Sequence, residues 1–368
     1  IISGDIFDTP NPSVEVQRLF FDFLTDCTDQ NEGMQVVIIA GNHDSGARLE
    51  TAEALLQQHN IYVRGTVHRT GDSYDFERNI LPLSTRHSSE AAVVCYALPF
   101  LRAIDYPHGM SVEEGLKHHL EQMDKCHKKS DFKSLPVVVA AHFYAVGAYV
   151  NEVEHSERLV VGGQDAVSVG NMAKRYAYTA LGHIHKAQAV NDLDTVRYAG
   201  SPIPLSFSER DYQRSVTLLN IDEGGNTEVS TLDYTPLCVL LTLPKYGYAS
   251  PEKLLSLLSE LPEDDGTQPR ETWPFLELRV EISQPEPELR AQIVQQLSNK
   301  AVRFCRVATN LAHSGERKAE DLPSLANNLE QISPLDLAQR HYQERFDNEM
   351  PDALLQRFKM AEQLLHEA

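Results

Sequence analysis

The strongest constraint on the fold is a set of short apolar runs rich in β-branched residues: QVVIIAG at 35–41, AVVCYALP at 92–99 and PVVVAAH at 136–142. They lack polar alternation, so each predicts a strand buried on both faces. Helical patterns lie between them. Residues 12–25 open with Pro-Ser and place Val16, Leu19, Phe20 and Phe23 on one side; 45–58 and 111–129 follow. This order predicts a layered α/β domain. The stretch 215–234 predicts a hairpin around Gly224 and Gly225.

A second unit follows Pro236. Residues 237–243 predict a strand, and 250–261 a helix with a Ser cap and Pro at its first position. Residues 274–282 alternate Leu276, Leu278, Val280 and Ile282 with charged neighbours, which predicts a strand with one wet face. A helix at 287–300 and a strand at 302–308 complete a β-α-β-α-β order, read as a small α+β domain. Residues 309–328 are polar and linker-like. Two helical segments, 334–346 and 351–368, end the sequence; the second repeats Leu354, Phe358, Ala361 and Leu365 as an amphipathic stripe.

Four of the strands run out into polar loops that begin with metal-ligand residue types. They are GDIFD (4–8), AGNHDS (40–45), AAHF (140–143) and ALGHIH (180–185). In layered α/β folds ligands gather beyond the carboxyl ends of strands. Asp5, Asn42, His43, His142, His183 and His185 can therefore converge although they span 180 positions. Taken singly, Asp5 also suits a helix cap or turn, and His142 a hydrogen-bonded core histidine. Together they fit a pair of divalent metals: a carboxylate can bridge two ions, and mixed imidazole and oxygen donors suit Mn, Fe or Zn. Two such ions support hydroxide attack on a phosphoester. Gly4, Gly41 and Gly182 permit the tight turn from strand to ligand loop. His118 and His119, on a charged helix, are expected to face water. GSPIPLSFSE (200–209) reads as a rigid loop or a wall of the site.

The formal charge of -20 argues against wholesale electrostatic binding to nucleic acid or membrane, while leaving room for a local basic groove. Cys27, Cys95, Cys126, Cys238 and Cys305 are scattered and form no C-x-x-C, which suits reduced thiols of a cytoplasmic protein. No apolar run approaches the ~20 residues that a membrane span needs.

The ordered set GD-x-x-D, GNHD, a lone strand-end His and GH-x-H resembles the calcineurin-like metallophosphoesterases. The stretch YTALGHIHKAQ, with VRYAGSPIPLSFSE after it, is similar to the SbcD-type nuclease branch of that family, as are HNIYVRG, LPFLR and HFYAVGA. The resemblance implies a four-layer α-β-β-α sandwich at 1–234, a small α+β capping and DNA-selecting domain at 235–310, and a linker with a helical tail at 311–368. It makes Asp5 the bridging ligand. Asn42, His142 and His183 would complete one metal site, and His185 would bind the other ion. His43 would lie over the scissile phosphate as a catalytic residue, with Asp8 in a supporting role.

The family carries an Asp-x-His ahead of GD-x-x-D, and this sequence holds none before residue 4, so the expectation is a chain lacking its first β-α unit. The implied activity is Mn-dependent cleavage of DNA, as 3′-5′ exonuclease on double strands and as endonuclease on single strands and hairpins. The implied setting is repair, recombination and replication in a nucleoid-associated cytoplasmic complex. The implied partners are the SbcC ATPase, docked through 334–368, and a second copy of the chain. A small-molecule phosphodiesterase or phosphatase, and a non-catalytic SbcC-binding scaffold, are the rival expectations.

Overall fold

The computed structural model describes residues 1–71, 73–149, 166–222, 224–283, 286–311, 335, 339, 342, 350, 351 and 354–358. A strand β1 (Ile2–Ser3) leads to helix α1 (Val14–Gln30), β2 (Val36–Ile39), the short helices α2 (Gly46–Leu49) and α3 (Glu53–Leu56), and β3 (Ile61–Arg64). A minor hairpin of β4 (Arg69–Thr70) and β5 (Ser73–Tyr74) precedes β6 (Ile80–Ser84) and β7 (Ala91–Leu98). Then come α4 (Val112–His127), β8 (Val137–His142), α5 (Met172–Arg175), β9 (Tyr178–Gly182), β10 (Gln188–Val190) and β11 (Leu193–Tyr198). The hairpin of β12 (Arg214–Ile221) and β13 (Thr227–Tyr234) follows.

Two sheets face each other. One is parallel, in the order β1-β2-β3; the other runs β10-β11-β9-β8-β7-β6, with β7, β8, β9 and β11 parallel. The apolar runs fill both faces of their strands. In β2, Val37 and Ile39 pack between the sheets with Leu81, Cys95, Ala97 and Ala140. Val36 and Ile38 pack outward with Leu24 of α1. On the far face of the larger sheet, Val94, Tyr96 and Leu98 meet Leu116, Leu120 and Met123 of α4. The result is helix, sheet, sheet, helix. Helix α4 begins in a reciprocal capping box between Ser111 and Glu114.

Several expectations need revision. The apolar side of α1 is not its buried side: Leu24 is buried and Phe20 partly so, whereas Val16, Leu19 and Phe23 are 47%, 70% and 51% exposed. The helix expected over 45–58 is broken into α2, α3 and two 3-10 turns. Gly46 lies so close to Gly65 that a Cβ on either would collide with the other's backbone. Glu50 is meanwhile pulled onto the backbone N–H groups of Gly65 and Thr66, at 2.9 and 3.1 Å. His119 does not face water; it is 1% exposed and donates from Nε2 to the Asp105 carbonyl at 2.6 Å.

Further along, β14 (Leu240–Leu243), α6 (Pro251–Ser259), β15 (Phe275–Ile282), α7 (Leu289–Gln296) and β16 (Arg303–Leu311) form a small parallel sheet with its own apolar core. The expected wet face of β15 is dry at Glu277, which is fully buried. Arg279 and Arg306 supply the charge that makes this burial tolerable, at 2.9 and 2.6 Å. All of this belongs to one unit, Ile1–Leu311, and Ala312–Ala368 forms a second. The tail helices expected at 334–346 and 351–368 fall largely outside the described residues; 354–358 is helical.

Candidate metal centre

The parallel strands β1, β2, β8 and β9 end side by side, and each ends in a residue type able to bind a cation. His142 and Gly182 are register partners at the ends of β8 and β9. The Ser3 hydroxyl donates to the Ala180 carbonyl at 3.2 Å, tying the smaller sheet to the larger. The turns are tight. Gly4 takes φ +90°, and a Cβ there or at Gly182 would overlap the His142 ring. Asp5 and His183 hold φ values of 52° and 105°, unusual for residues with side chains. Such conformations cost about 1–3 kcal/mol each, and concentrate where function requires them.

Asp5, His142 and His183 place ligand atoms within 4.8 Å of one another. The Asn42 Oδ1 joins them, 2.9 Å from His142 Nε2 and 3.0 Å from His183 Nδ1. His142 Nδ1 must carry a proton, because its partner at 2.7 Å is the Ser3 carbonyl oxygen. In the neutral ring, Nε2 then turns a lone pair towards Asn42 Oδ1 and towards Asp5 Oδ2, which lies 3.3 Å away. Electron-rich atoms so arranged repel unless a proton or a metal cation lies among them. The buried His183 Nε2 has no hydrogen-bond partner among the described residues. This donor set fits a divalent transition metal, with borderline nitrogen and hard oxygen ligands together.

The protonation states agree with that picture. Burial alone would raise the Asp5 carboxyl. A hydrogen bond from His142, whose ring is then protonated at Nε2, the charge of that ring and the N–H of His43 outweigh it and hold Asp5 at about 2; that proton occupies the place a metal cation would take. Burial, with His142 beside it, pushes His183 down to about 3, so its imidazole stays neutral and able to bind metal.

The other expected residues lie around this group. The His43 N–H donates to Asp5 Oδ1 at 3.0 Å, and its ring Nδ1 sits 2.9 Å from the Asp8 carbonyl. The Asp8 carboxylate is 97% exposed and 3.9 Å from that ring. His185 stands outside the group of three, with Nδ1 2.9 Å from Glu209 Oε1. Glu209 was not singled out by sequence. It is 2% exposed, ends GSPIPLSFSE, and also pairs with Arg214 at 3.3 Å. A carboxylate behind an imidazole fixes the tautomer and leaves the opposite nitrogen for a metal. Asp44 was also passed over. Its buried carboxylate accepts N–H bonds from Ile6, Phe7 and Gly41 at 3.1, 3.0 and 2.8 Å, stitching the two ligand loops together. Burial raises its pKa. The sequence signal was its place in GNHD, which drew attention to the neighbours instead.

Comparison with known proteins identifies the chain. The calcineurin-like phosphoesterase family matches residues 1–187, half of the sequence. The chain is 34% identical to the SbcD subunit of the SbcCD nuclease of Rhodobacter capsulatus, over 80% of the chain and 73% of that protein. The chain belongs to the SbcD branch of the calcineurin-like phosphoesterases. The SbcD proteins of Escherichia coli and Bacillus subtilis are 32% and 31% identical, over 65% and 61% of the chain. The chain spans 60% and 56% of those two SbcD proteins. A further family, described as the type 5 capsule protein repressor C-terminal domain, matches residues 239–346, over the small parallel sheet and beyond. The SbcD family is one of metal-dependent phosphodiesterases, and Asp5, His142 and His183 are residues that could hold a metal ion.

Proposed function

We propose that the chain is a Mn-dependent DNA nuclease subunit that works with an SbcC ATPase. The observation that carries this reading is the convergence of Asp5, Asn42, His142 and His183, whose nitrogen and oxygen atoms gather at one place. Two divalent ions, when bound, would polarise the phosphodiester and supply an activated water. The protein's own residues do the rest. Asp5 and Asn42 contribute the hard oxygens, and His142 and His183 the imidazoles. His185, oriented by Glu209, serves the neighbouring ion. With Nδ1 on the Asp8 carbonyl, His43 has Nε2 left for substrate, where a proton can stabilise the phosphate charge and pass to the leaving oxygen. Asp8 acts through its carbonyl, by orienting that ring.

The proposed organisation is a nuclease domain at 1–234, a capping domain at 235–310 and an SbcC-binding tail at 334–368. The exposed stripe Val16, Leu19 and Phe23 supports pairing of two copies through α1. The proposed substrates are double-strand ends, hairpins and single strands in the cytoplasm. Among the described residues no helix is long and apolar enough to cross a membrane.

The test is Mn binding by calorimetry together with cleavage of a DNA hairpin. Mn uptake with hairpin cleavage, both lost in His183→Ala, is expected. Hydrolysis of bis(p-nitrophenyl) phosphate without any DNA cleavage would replace the nuclease with an enzyme for small diesters.

A further inference from the structure

Beside the metal centre, a lysine lies on an aromatic ring. The Lys186 ammonium is 3.8 Å from the centroid of the Tyr149 ring and 5.8 Å from that of Tyr212. The three residues sit on the same three loops that carry site residues. Tyr149 follows His142, Lys186 directly follows His185, and Tyr212 follows Glu209.

The arrangement is built. Gln188 accepts from the Tyr149 N–H at 2.7 Å and donates to the carbonyls of Tyr149 and Lys186 at 3.0 and 3.3 Å. The Asn191 side chain donates to the Val146 carbonyl at 3.0 Å, fastening the same loop a second time. Gly147, at φ +88°, lets Asn191 approach; any side chain there would collide with it.

Two further features separate this pair from ordinary surface residues. Arg197, Arg210 and Arg214 each reach a carboxylate: Asp194, Asp211 and Glu209. Lys186 has none within ion-pair distance among the described residues, in a chain of formal charge -20. The Tyr149 side is also open, since that residue is 56% exposed although one ring face carries the ammonium. A clamped cation with no carboxylate partner among the described residues, beside an accessible ring, offers one contact for a phosphate and one for a base.

We propose that Lys186 and Tyr149 hold the nucleotide next to the cleaved phosphodiester, the ammonium on its phosphate and the phenol ring against its base. This rests on the nucleic-acid reading above and adds to it residues that position the strand without touching the metal ligands.

The test is fluorescence anisotropy of a short fluorescein-labelled single strand with the full chain in EDTA, as a function of salt. Lys186→Ala should weaken binding roughly tenfold and lower the slope of log K against log salt by about 1. Tyr149→Ala should weaken binding by a similar factor with the slope retained, and Tyr149→Phe should restore it. With Mn added, the Lys186→Ala loss should fall on KM for the strand rather than on kcat. Binding by the wild-type chain that neither variant weakens overturns this inference alone. A wild-type chain that does not bind the strand overturns the nucleic-acid reading as well. Weakened binding by Lys186→Ala with an unchanged salt slope would reduce Lys186 to a prop for the loop and overturn the phosphate contact.

Discussion

Two buried carboxylates show how differently a fold can treat the same chemical group. Glu277, in the middle of β15, has no exposed surface and is met by its own cations. Arg279 reaches Oε2 at 2.9 Å, Arg306 reaches Oε1 at 2.6 Å, and the Thr242 hydroxyl lies 3.3 Å away. Asp5, just after β1, is surrounded by Asn42, His142 and His183, all residue types that can offer a lone pair to a metal. The first cluster is complete, and its charges were balanced by folding. The second has a donor set that suits a cation from outside. A saturated polar cluster is evidence of structure, and an electron-rich one is evidence of a ligand.

The largest effect expected from that contrast is on stability. Glu277→Ala strands two guanidinium groups, one of them on a residue beside the buried core. Breaking such a pair costs about 3 kcal/mol, the low end of the usual range because the Arg306 side chain is 52% exposed and can turn to water. Urea unfolding should show this loss in the Mn-free chain. An unchanged midpoint would mean that the Glu277 cluster is no more self-contained than the Asp5 cluster.

Asp5→Asn should behave in the opposite way. The substitution keeps the shape and removes the charge a metal needs. Mn affinity should fall by more than about a hundredfold, beyond the usual cost of losing a group behind a ligand. The metal-free midpoint should move less than in Glu277→Ala. Calorimetric titration of Mn checks the first statement and urea unfolding the second. Unaltered Mn affinity would remove Asp5 from the site.

The same contrast explains what could be read from sequence. The ligand loops announce themselves locally, because an apolar strand running into Gly and then Asp, Asn or His is a pattern within a few residues. The convergence of Asp5, Asn42, His142 and His183 was legible for that reason, and so were the strands β2 and β8 that lead to Asn42 and His142. Glu209 was not, because its meaning depends on His185, 24 positions away. Glu277 was misjudged because alternation specifies which residues share a face but not whether the face is wet. Arg306, on the neighbouring strand, decides that. Helix α1 shows the converse: its apolar stripe was legible, but only its Phe20 edge, continued by Leu24 one turn on, is covered by the sheet.

His119 supplies the smallest effect and a third arrangement, a buried polar group satisfied by one neutral partner. Its Nε2 donates to the Asp105 carbonyl, and the rings of Tyr74 and Phe76 stand edge-on to it at 5.2 and 5.4 Å. Burial lowers its pKa; the Asp105 carbonyl and carboxylate oppose this, and His118 reinforces it. The folded value thus lies below the unfolded value of about 6.5. Above that pH both states are neutral and the group contributes nothing to pH dependence. Below it the unfolded chain takes up a proton that the folded chain resists, so stability declines as pH falls. The contribution is bounded by about 1.4 kcal/mol per pH unit for one proton. His119→Gln keeps an N–H for the Asp105 carbonyl and cannot titrate. Its urea midpoint should therefore fall less steeply than that of the wild type between about pH 6.5 and 5. His183, held at about 3, responds in the same window in both chains and cancels from the difference. Parallel pH profiles would show that His119 takes up its proton equally in both states. The carbonyl would then not be the complete partner that sets this histidine apart from those of the metal centre.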